Sequence, residues 1–342
     1  YTIFELAYAP SPYADHFYRI ENPPKGSVAQ KIRWLWGMMH GNLHPYVRRY
    51  TTRAHQELNT HFDLVFAHNV YTCPLAFHFA KGCPVIIDLH EYLPAVSENL
   101  RWRLLFQRGV INLCREYLPQ AAATLTTSEE LAELYHKNFA ISPIVNYNAP
   151  PFEQLFPRQC GATIHMVHHG SSSPGRNIPE LIDLMDKIQD RFHLHLYLVG
   201  SGSYHEALKQ RALAHPRIHW HDPVPLAEIS RTINQYDIGI HLLAPSNLNH
   251  DMTIGNKFFE YMQARLAVAI WPTTSMCRLL RQHPVGFATS KPSVEEMAEK
   301  INSLTTEQIM SFKWQSEKAA SFFTAEKSMV QIQLAVQKAL QH

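Results

Sequence analysis

Short apolar runs rich in β-branched residues alternate with longer amphipathic stretches along the whole chain, and this alternation restricts the fold more than any other feature. The runs predict strands at residues 2–7, 64–68, 85–90, 123–127, 144–147, 164–168, 194–199, 218–221, 238–242 and 267–270. Helical periodicity fits the stretches between them, for example residues 179–192, 204–214 and 226–236. Strands that alternate with helices indicate an α/β fold with parallel sheets built from βαβ units.

The length and one proline-rich segment indicate two domains. A chain of 342 residues is too long for one ordinary core. The strand–helix pattern restarts after the stretch from Asn148 to Phe152, which contains two prolines. We therefore predict a first domain over residues 1–155, a second over residues 156–322, and a C-terminal helix over residues 323–342 that packs back on the first domain. Because the chain opens on Tyr1 inside a strand-like run, we expect residues to precede it.

Composition excludes several classes of protein. Hydrophobic residues make up 46% and charged residues 18%, which is typical of globular chains. A formal net charge of +2 argues against a nucleic-acid polycation, and no apolar run reaches the roughly 20 residues of a membrane span. The five cysteines form no Cys-x-x-Cys pair, so we interpret them as reduced core residues of a cytoplasmic protein. They are Cys73, Cys83, Cys114, Cys160 and Cys277.

The first candidate binding loop follows the strand at residues 164–168. Gly170 and Ser171 would let the backbone approach a ligand, and the next helix N-terminus would offer free N–H groups to phosphate. Arg176 could add paired hydrogen bonds to phosphate oxygens. An ordinary strand–helix loop with a surface arginine is the alternative.

The second candidate loop contains Gly200 and Gly202. It resembles part of a dinucleotide fingerprint, but the third spaced glycine is missing, so we predict a tight turn beneath a ligand.

The third candidate segment is a predicted helix N-terminus that carries a positive charge in its first turn. Asn256 follows Gly255, and Lys257 lies in the first helical turn, where a cation is unfavourable unless an anion binds nearby. Glu260 lies one turn later and could accept hydrogen bonds from ribose hydroxyls. The alternative is a surface ion pair between Lys257 and Glu260. The three loops follow parallel strands, so we expect them to meet at one edge of a sheet.

These segments in this order resemble the donor domain of GT-B glycosyltransferases, closest to glycosyltransferase family 4, the glycosyl transferases group 1. The matching stretches of the second half are "HGSSSPGRNIPELI", "LHLYLVGSGSY", "RIHWHDPVPLAEI", "YDIGIHLLAPS" and "GNKFFEYMQARLAVAI". The first half matches more weakly through "DLVFAHNVYTCPLA", "PVIIDLHEYLP", "ATLTTSEEL" and "IVNYNAPP". The resemblance implies two Rossmann-like domains whose parallel sheets face a central cleft.

The resemblance also assigns roles to residues. It implies that Arg176 and Lys257 bind the donor diphosphate, that Glu260 holds the ribose, and that the backbone at Pro223 and Val224 borders the base. Three positions depart from the family pattern. Met252 replaces a second glutamate, Arg265 stands where the family has the glycine of a Gly-x-Pro, and Ser171 replaces an arginine after the first glycine.

His90 is the catalytic candidate of the first half. It ends the strand at residues 85–90, and in the resembling family this histidine faces the reacting centre. Glu91 could orient it or cap the next segment. His68 and Asn69, at the end of the preceding strand, are second candidates. With 22 histidines in the chain, the alternative for each is a structural role.

Two stretches combine basic and aromatic residues. The first runs from Lys25 to Arg53 and contains no acidic residue, and the second runs from Arg101 to Arg115. They suit anionic lipid headgroups or a phosphorylated acceptor, and the alternative is a solvated helix face. We expect no partnership with nucleic acid. No metal-binding spacing is present, so we expect neither a metal ion nor another cofactor.

Together these features predict an enzyme that transfers a sugar from a nucleoside diphosphate sugar to a hydroxyl on a glycan, a lipid-linked molecule or a protein. The resemblance implies retention of configuration and a place in bacterial-type surface polysaccharide biosynthesis. Transfer of a hexosyl or N-acetylhexosaminyl group is expected, in the cytoplasm or on the inner face of the membrane. A sugar-nucleotide 2-epimerase and a non-catalytic nucleotide-sugar-binding subunit stay open as alternatives, and a dehydrogenase is disfavoured by the incomplete glycine fingerprint.

Overall fold

The computed structural model describes residues 2–5, 15–19, 27–47 and 61–341. The chain forms two compact units. The first comprises Tyr1–Thr127, Leu131–Val145 and Ile332–His342, and the second comprises Ser128–Glu130 and Asn146–Gln331. The second unit therefore takes over at residue 146, before the predicted boundary at 155. The C-terminal segment, residues 323–342, is divided between the two units at residue 331.

The first unit contains a four-stranded parallel sheet. The described strands of this unit are β1 (Thr2–Glu5), β2 (His16–Arg19), β3 (Val65–His68), β4 (Val85–Leu89), β5 (Ala123–Thr126) and β6 (Ile144–Val145). Strands β3 to β6 pair in chain order, while β1 and β2 pair separately. Among the described residues up to 145, the helices are α1 (Val28–Met39), α2 (His44–Val47), α3 (Cys73–Ala80), α4 (Leu100–Trp102), α5 (Arg108–Tyr117) and α6 (Glu129–Phe139). A π-helical turn, Arg103–Gln107, joins α4 to α5.

The second unit contains a six-stranded parallel sheet. Its strands are β7 (Ile164–Ser171), β8 (Phe192–Val199), β9 (Ile218–His221), β10 (Ile238–His241), β11 (Ala267–Ile270) and β12 (Gly286–Ala288). Helices α7 (Ile178–Met185), α8 (Gly202–Leu213), α9 (Ile229–Ile233), α10 (Leu248–Met252), α11 (Asn256–Gln263), α12 (Thr274–Gln282), α13 (Val294–Ser303), α14 (Thr306–Ala320) and α15 (Ala325–Leu340) follow.

The strand order of this second sheet is β12-β11-β10-β7-β8-β9. The chain therefore builds outward from β7 in one direction and from β10 in the other, and the order reverses between these two strands. In open parallel sheets, ligands bind outside the carboxyl ends of the strands at such a reversal. This topology directs attention to the ends of β7 and β10.

Alternating burial explains why this sheet is covered on both faces. Ile164, Met166 and Leu194 belong to one hydrophobic cluster, whereas Val167 and Tyr197 on the same strands belong to another. Apolar residues packed on both faces are typical of parallel sheets between two helical layers. In the first unit, Ala335 and Ala339 of α15 pack with the β-sheet residues Ile86 and Leu125.

The structure confirms the predicted α/β class and changes several element bounds. Residues 6 and 7 of the first predicted strand lie outside the described residues. Strands β2 and β12 were missed, and β7 continues three residues past the predicted end at 168. The helix predicted over residues 179–192 ends at Met185, before β8 begins at Phe192.

All five cysteines are free, but only Cys73 and Cys114 are fully buried. In the described part of the chain no helix has the length and apolar character that crossing a membrane requires.

Candidate functional site

The carboxyl end of β7 and the start of α11 meet at Gly170. This glycine has a φ of 118°, and a Cβ built on it would lie 2.7 Å from the Nζ of Lys257 and 2.8 Å from its Cε. The lysine side chain therefore lies directly against the backbone of β7, in space that only glycine leaves free. Two of the three predicted loops thus meet at the reversal point of the sheet.

Positive charge exceeds negative charge at this point. Burial lowers the pKa of Lys257, Glu260 raises it, and the charge of Arg176 lowers it further. Burial raises the pKa of Glu260, and Lys257 opposes that shift. Lys257 thus lies near both a second cation, Arg176, and the buried carboxyl group of Glu260. The N-termini of α7 and α11 add partial positive charge, so the arrangement suits a diphosphate.

Three buried histidines lie near Lys257, and the sequence analysis missed them. The Nδ1 of His168 donates a hydrogen bond to the Ile240 carbonyl oxygen at 2.8 Å. Burial, then the charge of Lys257, lowers the pKa of His168 to about 3. The same causes lower the pKa values of His169 and His241 well below the ordinary range. All three imidazoles are therefore neutral near pH 7 and leave the excess positive charge unchanged.

Two nitrogen atoms of these histidines lack hydrogen bonds within the described part of the chain. One is the Nδ1 of His241. The other is the Nε2 of His169, which lies 3.2 Å from the Oε2 of Glu260 but without the alignment of a hydrogen bond. The signal for these residues was the pair of histidines before Gly170, but it is hard to recognise in a histidine-rich chain.

The second predicted loop packs against the first. A Cβ on Gly200 would lie 1.9 Å from the Oγ of Ser172, so no larger residue fits there. The backbone N–H of Ser172 donates to the Val199 carbonyl oxygen at 3.0 Å. The Oγ of Ser171 accepts a hydrogen bond from the backbone N–H of Ser173 at 3.1 Å, which shapes the turn before Arg176.

The remaining predicted binding residues lie at the starts of helices α8 and α11 and after strand β9. Gly202 begins α8, and Asn256 begins α11 with its Oδ1 accepting a hydrogen bond from Asn148 at 3.0 Å. Pro223 and Val224 follow β9, which is one of the two edge strands of the sheet. Their role at the base stays a prediction.

Two of the departures from the family pattern belong to structural networks. The carbonyl oxygen of Met252 accepts hydrogen bonds from Ser128 at 2.6 Å and from Ser275 at 2.7 Å. Arg265 is fully buried with a φ of 60°, pairs with Glu317, and donates to the Glu153 carbonyl oxygen at 2.6 Å. The arginine therefore stabilises the turn between α11 and β11.

In the first unit, Asp88 orients His90. The Oδ2 of Asp88 lies 2.8 Å from the Nε2 of His90 and 3.3 Å from the Nδ1 of His68, which is its register partner on β3. Burial acts to raise the pKa of Asp88, but hydrogen bonds from both histidines outweigh it and lower the pKa to about 2. The hydrogen bond with Asp88 raises the pKa of His90, against burial.

Of the two roles considered for Glu91, the orientation of His90 belongs to Asp88 instead. The side chain of Glu91 is exposed, and its carbonyl oxygen accepts a hydrogen bond from the Tyr135 hydroxyl at 2.7 Å. Asn69, a second candidate, has a φ of 78° and accepts a hydrogen bond from the Tyr71 backbone, so it caps a short 3₁₀ turn, Val70–Thr72.

His68, Asp88 and His90 also form a group that could hold a metal ion. One ligand atom from each lies within 4.8 Å of the others. The sequence analysis did not identify this group, because His68 lies on a different strand from Asp88 and only strand pairing brings it close to Asp88 and His90. The expectation of no metal ion therefore needs a direct test.

The comparisons with known proteins agree with this picture of the second unit. Residues 164–307 match the family model described as Glycosyl transferases group 1. We refer to this matched segment as the group 1 domain. It contains Gly170, Arg176, Lys257 and Glu260. Among curated proteins, a sequence comparison gives no match.

Solved structures extend the likeness beyond the group 1 domain. The Anabaena protein Alr3699/HepE, in a complex with UDP and glucose, has a TM-score of 0.67 at 17% identity, covering 96% of this chain and 86% of its own. Sucrose-phosphate synthase from Thermosynechococcus elongatus has a TM-score of 0.68 at 12% identity, covering 96% and 84%. At such identities the likeness shows the fold alone, and it confirms the predicted GT-B fold.

Proposed function

We propose that the chain is a glycosyltransferase that moves a hexosyl or N-acetylhexosaminyl group from a nucleoside diphosphate sugar to a hydroxyl acceptor. The observation that carries this proposal is the Lys257 ammonium against Gly170, beside Arg176 and the buried Glu260. The structure of HepE with UDP-glucose favours a UDP-sugar as the donor. Synthesis of a surface glycan or glycoconjugate in the cytoplasm is the biological setting we propose.

The proposed chemistry breaks the bond between the anomeric carbon and the diphosphate oxygen, and the electron pair passes to the diphosphate. Arg176, Lys257 and the N-termini of α7 and α11 stabilise the charge that develops. Each preorganised group of this kind contributes roughly 10²–10³ in rate. The acceptor oxygen bonds to the anomeric carbon on the face that the diphosphate leaves, and its proton passes to a diphosphate oxygen. The configuration is retained.

The proposed reaction uses side-chain cations where other transferases use a divalent ion. His90 is the proposed contact to the reacting sugar or acceptor, held in orientation by Asp88. Glu260 is the proposed partner of the ribose hydroxyls, and Pro223 and Val224 are the proposed border of the base.

A donor screen tests the proposal. UDP-, GDP-, ADP- and CMP-sugars are screened by thermal shift in EDTA, because a ligand that binds only the folded state stabilises it. Donors that bind are then incubated with and without hydroxyl acceptors. Product that forms only with an acceptor supports transfer. A changed sugar without acceptor indicates the 2-epimerase, and binding without turnover indicates the non-catalytic subunit. Activity that EDTA abolishes and Mn²⁺ or Mg²⁺ restores contradicts metal independence.

We further propose that the first unit contacts an anionic membrane surface. Five apolar residues of α1 are exposed at helical spacing, and Leu100 and Leu104 near the adjoining π turn are each 67% exposed. The residues of α1 are Val28, Ile32, Leu35, Trp36 and Met39. Exposed cations accompany them, and residues 27–47 contain no acid. Lys25, Arg48, Arg49 and Arg53 of the predicted surface lie outside the described residues.

Vesicle flotation tests this contact. The chain is expected to float with vesicles that contain phosphatidylglycerol and not with pure phosphatidylcholine, because apolar insertion and cation attraction act together. The double substitution Ile32→Asp with Trp36→Asp should abolish flotation. Met329→Asp, at another exposed apolar position, is the matched control. Equal flotation of all three proteins contradicts the proposed surface.

A further inference from the structure

Five histidines form a contiguous cluster on one face of three neighbouring strands. The histidine cluster consists of His165 on β7, His193 and His195 on β8, and His219 and His221 on β9. The strand register places His165 opposite His193 and His195 opposite His219. Because side chains alternate along a strand, all five project from the same face of the sheet. His165, His193 and His219 are each the second residue of their strand, whereas Lys257 packs against Gly170 near the carboxyl end of β7.

The imidazole rings of the cluster contact one another through their nitrogen atoms. Three Nδ1-to-Nε2 distances of 2.9 Å join His165 to His195, His193 to His219, and His195 to His221. The rings of His193 and His219 are 9° from parallel, with centroids 5.2 Å apart. Each contact brings together two nitrogen lone pairs with one proton to share.

The cluster is held in place but open to solvent. Tyr236 packs on His195 at 4.3 Å between ring centroids, and Tyr197 packs on His221 at 4.6 Å. All five histidines are only half-buried, and β9 is the edge strand of the sheet. A small ion from solution can therefore reach the nitrogen atoms.

The imidazoles also have the protonation state that a metal ligand needs. Burial, followed by the neighbouring imidazoles, lowers the pKa values of His193 and His195, and burial has the largest effect on His219 and His221 as well. These four rings are neutral near pH 7. Neutral imidazole is the form that binds a metal, and a protonated ring would first have to lose its proton.

We propose that the histidine cluster is a binding site for a divalent transition metal ion of the zinc, nickel or copper class. Imidazole nitrogen suits these ions, whereas Mg²⁺ and Ca²⁺ prefer oxygen ligands. His193 and His219 are the first pair, because theirs is the nitrogen contact whose two rings are most nearly parallel. Metal–nitrogen bonds of about 2.0–2.1 Å allow two nitrogens this close to bind one ion after a small ring rotation.

Binding of the ion leaves both rings neutral. The proton shared between the Nδ1 of His193 and the Nε2 of His219 moves through solvent to the Nε2 of His193. The two facing nitrogens then each donate a lone pair to the ion, and water fills its remaining positions. No oxidant, reductant or further reactant is needed, and the site does not depend on the proposed sugar transfer.

A zinc competition measurement tests the proposal. Tag-free protein, stripped with EDTA and desalted, competes for Zn²⁺ with a chromophoric chelator of micromolar affinity. The parent is compared with a His193→Gln, His219→Gln variant. A His68→Gln, His90→Gln variant is the control, because it removes the other group of possible ligands. We expect the cluster variant to lose one zinc equivalent that the control retains. Equal zinc binding by the parent and the cluster variant overturns the proposal.

A second measurement does not require the cluster variant to fold. The His68→Gln, His90→Gln protein is loaded with one equivalent of Cu²⁺ and examined by electron paramagnetic resonance. Nitrogen hyperfine structure from two imidazoles, and shifts confined to His193 and His219 in histidine ring NMR spectra with Zn²⁺, are expected. A spectrum of oxygen-ligated copper, or ring shifts at other histidines only, contradicts the site.

Discussion

Gly170 decides at the residue scale whether Lys257 can reach the carboxyl end of β7. We expect Gly170→Ala to weaken nucleoside diphosphate binding at least about tenfold, because the added Cβ displaces an ammonium that bonds to phosphate. The positive φ also strains the backbone, at about 1–3 kcal/mol of unfolding free energy. Gly82→Ala is the matched control, since Gly82 has a φ of 101° with no atom within 4 Å. Calorimetric titration with UDP separates the effects, and unchanged affinity in Gly170→Ala contradicts the pocket.

His90 makes the second prediction at this scale. We expect His90→Ala to lower turnover roughly 100-fold while nucleotide affinity stays nearly unchanged, because the proposed contact forms with the reacting group and not with the diphosphate. Turnover, nucleotide affinity and melting temperature are measured on one preparation. A lower melting temperature with normal activity per folded molecule assigns His90 a structural role instead.

Candidate site residues could be selected from the sequence, but the side chains that contact them could not. Arg176, Lys257 and Glu260 could be proposed from the sequence because their loops follow strands in a recognisable order, and their roles in binding stay a prediction. Asp88 was not recognised as the partner of His90. The sequence does not show that the Asp88 side chain reaches His90, whereas the Glu91 side chain is exposed to solvent. His241 was missed because its proximity to Lys257 depends on the pairing of β10 with β7, which no local pattern encodes.

At the element scale, strands β8 and β9 should make the fold sensitive to acid. Burial and neighbouring imidazoles lower the folded-state pKa values of four cluster histidines, that of His195 to about 3. In the unfolded chain these pKa values are about 6.5. The unfolded state then binds more protons, so the stability present above about pH 6.5 is lost as the pH falls toward the folded values.

Denaturant unfolding at several pH values in EDTA measures this loss. We expect the unfolding free energy of the parent to fall between about pH 6.5 and pH 4.5, and to fall less steeply in the His193→Gln, His219→Gln variant. Identical slopes for the two proteins contradict the assigned cause.

Element bounds were predictable where hydrophobic periodicity was strong. The strands of the group 1 domain were found within a few residues, whereas β12 was missed because three residues that begin with glycine carry little periodicity. The helix after β7 was predicted too long. The chain bends after Met185, and the backbone N–H of Gln189 donates a hydrogen bond to the Oδ1 of Asn302 at 2.9 Å. This contact joins segments far apart in the chain, so the local pattern cannot show it.

At the scale of the whole molecule, the restart of the strand–helix pattern was enough to predict two units. Their limits depend on long-range packing. Residues 128–130 belong to the second unit, where Glu130 pairs with Arg278, and α15 begins in the second unit and ends in the first. Neither assignment follows from composition or periodicity, because both depend on contacts between segments far apart in the chain.

The central claim is that the group 1 domain binds a nucleoside diphosphate through Arg176 and Lys257. Calorimetric titration of the parent, Arg176→Ala and Lys257→Ala with UDP, GDP and ADP tests it most directly. Lys187→Ala is the control, because Lys187 forms a surface pair with Glu295. We predict that at least one diphosphate binds the parent and the control alike, and that each pocket variant loses roughly 1.5–3 kcal/mol of binding free energy. Equal affinity in all four proteins, or no binding to the parent, would contradict the account.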